Sequence, residues 1–77
     1  MNHKLNVWFF KKRLRERIIP DYERYVEECR KRGLIPLAFE EWAVPIPEDA
    51  DALERYVLES WRRFVGRLYR EVLNEKS

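Results

Sequence analysis

The sequence predicts a small all-α protein: a bundle of three main helices and one short helical turn, with the long helix at the C-terminal end. Apolar residues recur every three or four positions along most of the chain, which is typical of amphipathic helices. Only two Gly and four Pro punctuate these segments, and strand-like alternation never persists beyond five residues. At 77 residues, we expect one helical domain over residues 1–77.

The first helix is predicted over about residues 4–18, and it is basic. Its apolar residues form a narrow seam that consists of Val7, Phe10, Leu14 and Ile18. Pro20 disfavours helical geometry in the residue before it, so the helix is expected to end near Ile19. One long helix kinked at Pro20 stays open as the alternative, because Tyr22, Tyr25 and Cys29 nearly continue the seam.

The second helix is predicted over about residues 21–32. Acidic residues stand at its start and three basic residues at its end, which suits the helix dipole. Gly33 occupies the position where a helix-terminating glycine is expected. After an extended connection, about residues 38–43 form the short helical turn, and the prolines of residues 44–47 exclude regular helix there.

The last helix is predicted over about residues 48–74 and is the longest. Acidic residues again mark its start, and Gly66 is the single potential breaker in its length. One face is apolar through six positions, namely Leu53, Val57, Trp61, Phe64, Leu68 and Val72. The other helices are expected to pack on this face.

One stretch of 21 residues resembles a known pattern. It reads Tyr22-x-x-Tyr25, then Arg32-Gly33-x-x-Pro36-Leu37-x-Phe39-Glu40-Glu41-Trp42. This is similar to short helical proteins of phages and prokaryotic mobile elements, in which a Tyr-rich helix ends at Gly before a Phe-Glu-Glu-Trp turn. The resemblance implies a packing device without assigned chemistry, in a phage or viral accessory protein. Ala38 stands where those proteins carry a Ser or Thr cap, which weakens the cap by about 1 kcal/mol.

Charge is sorted along the chain. Residues 1–19 carry six Lys or Arg against one Glu, residues 20–60 carry eleven Asp or Glu against five basic residues, and residues 61–77 are basic again. Basic ends and an acidic middle can attract each other within one chain or between chains. The near absence of amide side chains beside abundant Glu and Arg also favours a thermophilic host.

The sequence argues against catalysis and against a cofactor or metal site. Cys29 lies in a helical stripe and is expected to be a core residue, and the single histidine, His3, lies near the end of the chain. No glycine-rich loop exists to hold phosphate. The longest strongly apolar run, residues 7–10, is far shorter than a membrane span. We therefore expect no enzyme, cofactor or membrane contact, and a location in the host cytoplasm or the virion.

The function predicted first is non-enzymatic protein–protein interaction or assembly, either with copies of the chain or with another protein. More apolar surface is present than a small bundle can hide, including Val7, Trp8, Phe9, Phe10, Tyr56, Tyr69 and Leu73. The residues expected to bind the partner are Trp8, Phe9, Phe10, Lys11, Lys12, Arg13 and Leu14.

The alternative is a small nucleic-acid-binding protein. It would use the basic first helix together with Arg62, Arg63, Arg67 and Arg70 on the last helix. The acidic middle segment speaks against it, because carboxylates repel phosphate.

Overall fold

A computed structural model describes residues 6–75 and shows an all-α fold. The elements are α1 (Val7–Arg13), a π-helical segment (Leu14–Ile18), α2 (Ile19–Arg32), α3 (Phe39–Ala43) and α4 (Ala52–Glu75). Between residues 6 and 75 the chain forms no strand. The predicted fold class, a small helical bundle with a long C-terminal helix, is confirmed. The predicted helix start at residue 4, like His3, lies outside the described residues.

The chain does not break before Pro20: the predicted separation of residues 4–18 from residues 21–32 is wrong, and the alternative of one long helix through Pro20 is what the structure shows. Helical backbone angles continue through Arg13, Leu14 and Ile19, and α1, the π-helical segment and α2 form one long helix. The N–H of Ile19 donates to the carbonyl of Leu14, five residues back. A proline in a regular α-helix clashes with the carbonyl four residues before it and leaves that carbonyl unbonded. The wider π-helical turn redirects the carbonyls ahead of the proline and lets the helix pass through.

The end of α2 follows the prediction. Gly33 adopts the left-handed conformation, with φ 72° and ψ 25°, which a residue with a side chain rarely takes. The N–H of Leu34 donates to the carbonyl of Cys29 at 2.8 Å, and the N–H of Gly33 donates to the carbonyl of Arg30. This pair of bonds satisfies carbonyls at the helix end and turns the chain away from the helix axis. Cys29 is buried, as expected.

Two tyrosines of α2 fix the connection between α2 and α3. The hydroxyl of Tyr22 donates to the carbonyl of Leu37 at 2.7 Å, and the hydroxyl of Tyr25 accepts the N–H of the same residue at 2.9 Å. We call this arrangement the tyrosine clamp. It holds both backbone polar groups of Leu37 and delivers the chain to α3, which starts after Ala38 without a side-chain cap.

The core lies where α1, the π-helical segment and α3 meet α4. Seven buried apolar residues form it: Leu14, Ile19, Phe39, Val44, Val65, Leu68 and Val72. Gly66 makes room for the Glu40 side chain of α3, because a Cβ atom at this position would lie 2.5 Å from Oε2 of Glu40. Residues 48–51, predicted as helix, lie before α4 with a turn at residues 48–49, and the Asp51 carboxylate accepts the N–H of Glu54 at 2.8 Å at the start of α4.

The molecule is flat and open. Its principal extents are 46 × 36 × 16 Å, and a helix with its side chains is about 10–12 Å across. The accessible surface is 6329 Å², whereas a compact monomer of 9.6 kDa exposes roughly 5,100 Å². A bundle this thin covers one side of its long helices and leaves apolar side chains exposed on others.

Candidate protein-interaction site

The first turns of α1 carry two adjacent exposed aromatic rings. Trp8 and Phe9 are each 60% exposed and meet edge to face, with ring centroids 4.9 Å apart. The Asn6 side chain accepts the N–H of Phe9 at 3.3 Å and caps the helix, so the rings stand on ordered backbone. They point outward because the inward face of the helix is taken by Phe10 and Leu14, one turn apart.

The basic run beside these rings divides between two roles. The ammonium group of Lys11 lies 2.9 Å from Glu71 and 3.2 Å from Glu75, and Arg15 pairs with Glu75 at 3.0 Å. These bonds attach α1 and the π-helical segment to α4, and the hydrogen bonds to Glu71 and then Glu75 raise the pKa of Lys11.

Lys12 and Arg13 stay on the outer surface of α1. Lys12 lies 5.7 Å from the centre of the Trp8 ring, at the distance of a cation–π contact. We call Trp8, Phe9, Lys12 and Arg13 the basic aromatic surface.

Two of the predicted partner-binding residues belong to the interior. Leu14 is fully buried in the core, so its assignment as a contact residue is wrong for this fold. Phe10 is half-buried, and its ring centroid lies 5.8 Å from that of Trp61. Sequence spacing placed both residues on the seam of the helix, and the seam faces α4. Of the seven predicted partner-binding residues, Trp8, Phe9, Lys12 and Arg13 are exposed.

In the N-terminal half of α4, Leu53 and Val57 were expected to pack and are exposed, whereas Tyr56 was expected to be surplus apolar surface and is exposed. There Leu53 is 72% exposed, Tyr56 69% and Val57 57%. We call these three residues and the exposed carboxylates around them, Glu48, Asp49 and Glu54, the acidic apolar surface. Helix length was the available signal: α4 has 24 residues and spans about 36 Å, and its main contacts are with α1, the π-helical segment and the five-residue α3.

A third exposed apolar segment lies in residues 34–37. Ile35 is 94% exposed, and Leu34 and Leu37 are also exposed. The tyrosine clamp fixes the backbone of this segment while its side chains point to solvent. Tyr69, by contrast, was expected to be surplus and instead stacks on Phe39, with ring centroids 4.0 Å apart.

An apolar groove of about 300 Å³ lies between the N-terminal helix and α4. Phe10, Ile18, Trp42 and Trp61 form its walls, and no titratable side chain lines it. Such a groove can accept an apolar side chain.

The four arginines of the predicted nucleic-acid face do not act together. The guanidinium of Arg62 donates to the carbonyl of Val44 at 3.2 Å, and Arg70 lies 3.9 Å from Glu40. Arg67 lies 5.6 Å from the centre of the Phe64 ring, and Arg63 is exposed. Two of the four side chains are therefore directed at other parts of the molecule, which leaves a weaker basic face than the sequence indicated.

Comparison with known proteins adds no relative. No family model, no curated protein and no solved structure matches the chain. Among the helices of residues 6–75, none has the length and apolar character needed to cross a membrane. The resemblance of residues 22–42 to phage and mobile-element proteins thus stays a prediction, and the described geometry shows its tyrosines and its Phe-Glu-Glu-Trp turn in one packed unit.

Proposed function

We propose that this chain is a non-enzymatic interaction or assembly protein that acts through protein–protein contact. The observation that carries the proposal is the basic aromatic surface: Trp8 and Phe9 are 60% exposed on a capped helix, beside two cations. A buried aromatic side chain removes about 150–250 Å² from water, and Trp and Arg are the residues most enriched at the energetic centres of interfaces. A partner that covers these rings gains that burial at little cost in backbone ordering.

The exposed apolar segments elsewhere support the same class of function. Apolar side chains in the N-terminal half of α4 are exposed on ordered backbone, and the apolar groove lies beside Trp61. Contiguous exposed apolar surface on a small protein marks contact with another molecule. From the resemblance and the composition, we extend the proposal to a phage or viral accessory or virion protein of a thermophilic host.

Nucleic-acid binding is the competing function. Protein contact is favoured because Lys11, Arg15, Arg62 and Arg70 already bond within the molecule. Exposed rings beside cations also serve single-strand binding by stacking, so the experiment must separate the two.

The test is affinity capture from the cells in which the protein occurs, with the bound protein and the bound nucleic acid both quantified. The wild type is expected to retain a protein, and the double variant Trp8→Ser/Phe9→Ser to lose it. Leu34→Ser/Ile35→Ser removes an equally exposed apolar pair from another surface and should retain it. Nuclease treatment should change nothing. Loss of capture after nuclease, or binding to a labelled oligonucleotide that falls linearly on a log–log plot against salt, would show nucleic acid to be the target.

A further inference from the structure

We propose that the partner is a second copy of this chain, whose acidic apolar surface binds the basic aromatic surface of the first. This inference rests on the proposed function and names its partner. The two surfaces belong to one chain, are both exposed, and differ in charge and in the shape of their apolar residues.

Opposite charge is the first reason to pair these two surfaces. Residues 48–60 contain five carboxylates and one cation, Arg55, whereas residues 6–17 contain five cations and one carboxylate. Between residues 6 and 75, Lys12 and Arg13 form no ion pair, and neither do Glu48, Asp49 and Glu54. The cations of α1 that do pair use Glu71 and Glu75 near the C-terminal end. The carboxylates of Glu48, Asp49 and Glu54 are therefore available to pair with cations of another molecule. Complementary charge sets the orientation and the encounter rate at an interface.

The apolar residues are complementary as well. Trp8 and Phe9 project as two rings in edge-to-face contact. Leu53 and Val57 lie one helical turn apart on α4 and present smaller aliphatic side chains, with Tyr56 beside them. Flat rings pack well against such an aliphatic strip, and the cations next to the rings then face the carboxylates at the start of α4.

Both surfaces are available for contact in one molecule, because Trp8 and Phe9, and likewise Leu53, Tyr56 and Val57, are each more than half exposed. A standard interface buries about 800 Å² on each partner, so the contact has to include residues around these side chains. Because each copy carries both surfaces, two copies can exchange the contact twice in a closed dimer, or further copies can extend it into a chain.

The experiment mixes two defective variants of the purified protein. Trp8→Ser/Phe9→Ser removes the aromatic surface, and Leu53→Ser/Val57→Ser removes the aliphatic one. In sedimentation velocity, the wild type is expected to associate, and each variant alone should associate at least about tenfold more weakly. An equimolar mixture of the two should associate more strongly than either variant alone, because each supplies the surface that the other lacks and one intact contact forms. Leu34→Ser/Ile35→Ser is the control and should associate like the wild type.

Charge reversal gives a second, independent measurement if a serine variant loses helicity by circular dichroism. Lys12→Glu/Arg13→Glu and Asp49→Lys/Glu54→Lys should each weaken association, and a chain with all four changes should regain it. A wild type that stays monomeric at every concentration would overturn the second-copy proposal. So would a mixture of variants that associates no more strongly than either variant alone. The proposed function would still stand in either case if affinity capture showed a foreign protein retained through Trp8 and Phe9.

Discussion

The two halves of α4 carry the same apolar spacing and meet opposite surroundings. In the C-terminal half, Val65, Leu68 and Val72 are buried beneath α1, the π-helical segment and α3. In the N-terminal half, Leu53 and Val57 continue the stripe in solvent. The amphipathic pattern thus predicts which face of a helix is apolar. It does not predict whether that face packs within the chain or stays exposed. The comparison of the halves shows that the fold covers the C-terminal half of α4 and leaves the apolar stripe of the N-terminal half exposed.

The largest effect is expected from one substitution made in both halves. Leu68→Ala removes a buried side chain and should lower the free energy of unfolding by about 2–5 kcal/mol, through lost burial and the cavity left behind. Leu53→Ala removes the same atoms from an exposed position and should change it by less than about 0.5 kcal/mol. Urea denaturation of dilute protein, followed by circular dichroism, measures both changes.

In an assay of self-association, Leu53→Ala should have a larger effect than Leu68→Ala, the opposite of their order in stability. Leu53→Ala is expected to weaken self-association although it leaves the isolated fold intact. A loss of stability in Leu53→Ala as large as in Leu68→Ala, measured on dilute monomer, would show that the N-terminal half of α4 is covered within one molecule.

Sequence reasoning predicted the helices and the termination at Gly33 well, because periodicity and a left-handed glycine act over a few residues. The break that it favoured before Pro20 is wrong. A π-helical turn precedes the proline instead, and the helix continues although Pro20 has no N–H. Sequence reasoning placed Trp8 and Phe9 off the inward seam, and they are exposed. It assigned Leu14 to partner binding, whereas Leu14 packs against α4. The spacing of apolar residues shows which face of a helix is apolar, but not which distant segment of the chain packs on that face.

The next largest effect on stability is expected from the tyrosine clamp, which holds the connection to α3. Tyr22→Phe keeps the ring packed against Phe39 and Trp42 but removes the hydrogen bond to the carbonyl of Leu37. We expect a loss of about 1 kcal/mol in the free energy of unfolding. Tyr25→Phe, which leaves the N–H of Leu37 without its acceptor, should cost a similar amount. Denaturation of the two single variants and the double variant tests whether the clamp acts as a unit, since independent bonds would give additive losses.

Three groups with raised pKa values predict how the stability of the fold depends on pH. Burial raises the pKa of Tyr22 and of Tyr69, and the hydrogen bonds to Glu71 and Glu75 raise the pKa of Lys11. A group with a higher pKa in the folded state than in the unfolded state holds its proton more tightly when folded. Its contribution is complete below the unfolded pKa and is lost as the pH rises through the folded pKa. The free energy of unfolding should therefore fall above about pH 10. Tyr22→Phe should show a shallower fall than the wild type, and an identical alkaline slope in both would contradict the rise in the pKa of Tyr22 on burial.

The smallest effect expected is at Gly66, where α3 rests directly on α4. Gly66→Ala should gain helix propensity of up to about 1 kcal/mol, yet the new Cβ would lie 2.5 Å from Oε2 of Glu40 and force that carboxylate aside. Because Oε2 is the mobile end of a side chain, we expect displacement to cost a few tenths of a kcal/mol and to leave a small net gain.

The cost of displacement can be separated from the gain in propensity by a double-mutant cycle with Glu40→Ala. In that background the carboxylate is gone, so Gly66→Ala should recover the full gain. Ser60→Ala, on the exposed half of α4, should gain a smaller amount that is the same with or without Glu40, because α3 does not reach it. If the stability change of Gly66→Ala depends on Glu40 and that of Ser60→Ala does not, the part of α4 that α3 covers ends between residues 60 and 66. Equal gains for Gly66→Ala in both backgrounds would mean that α3 lies further from α4 than the geometry at Gly66 requires.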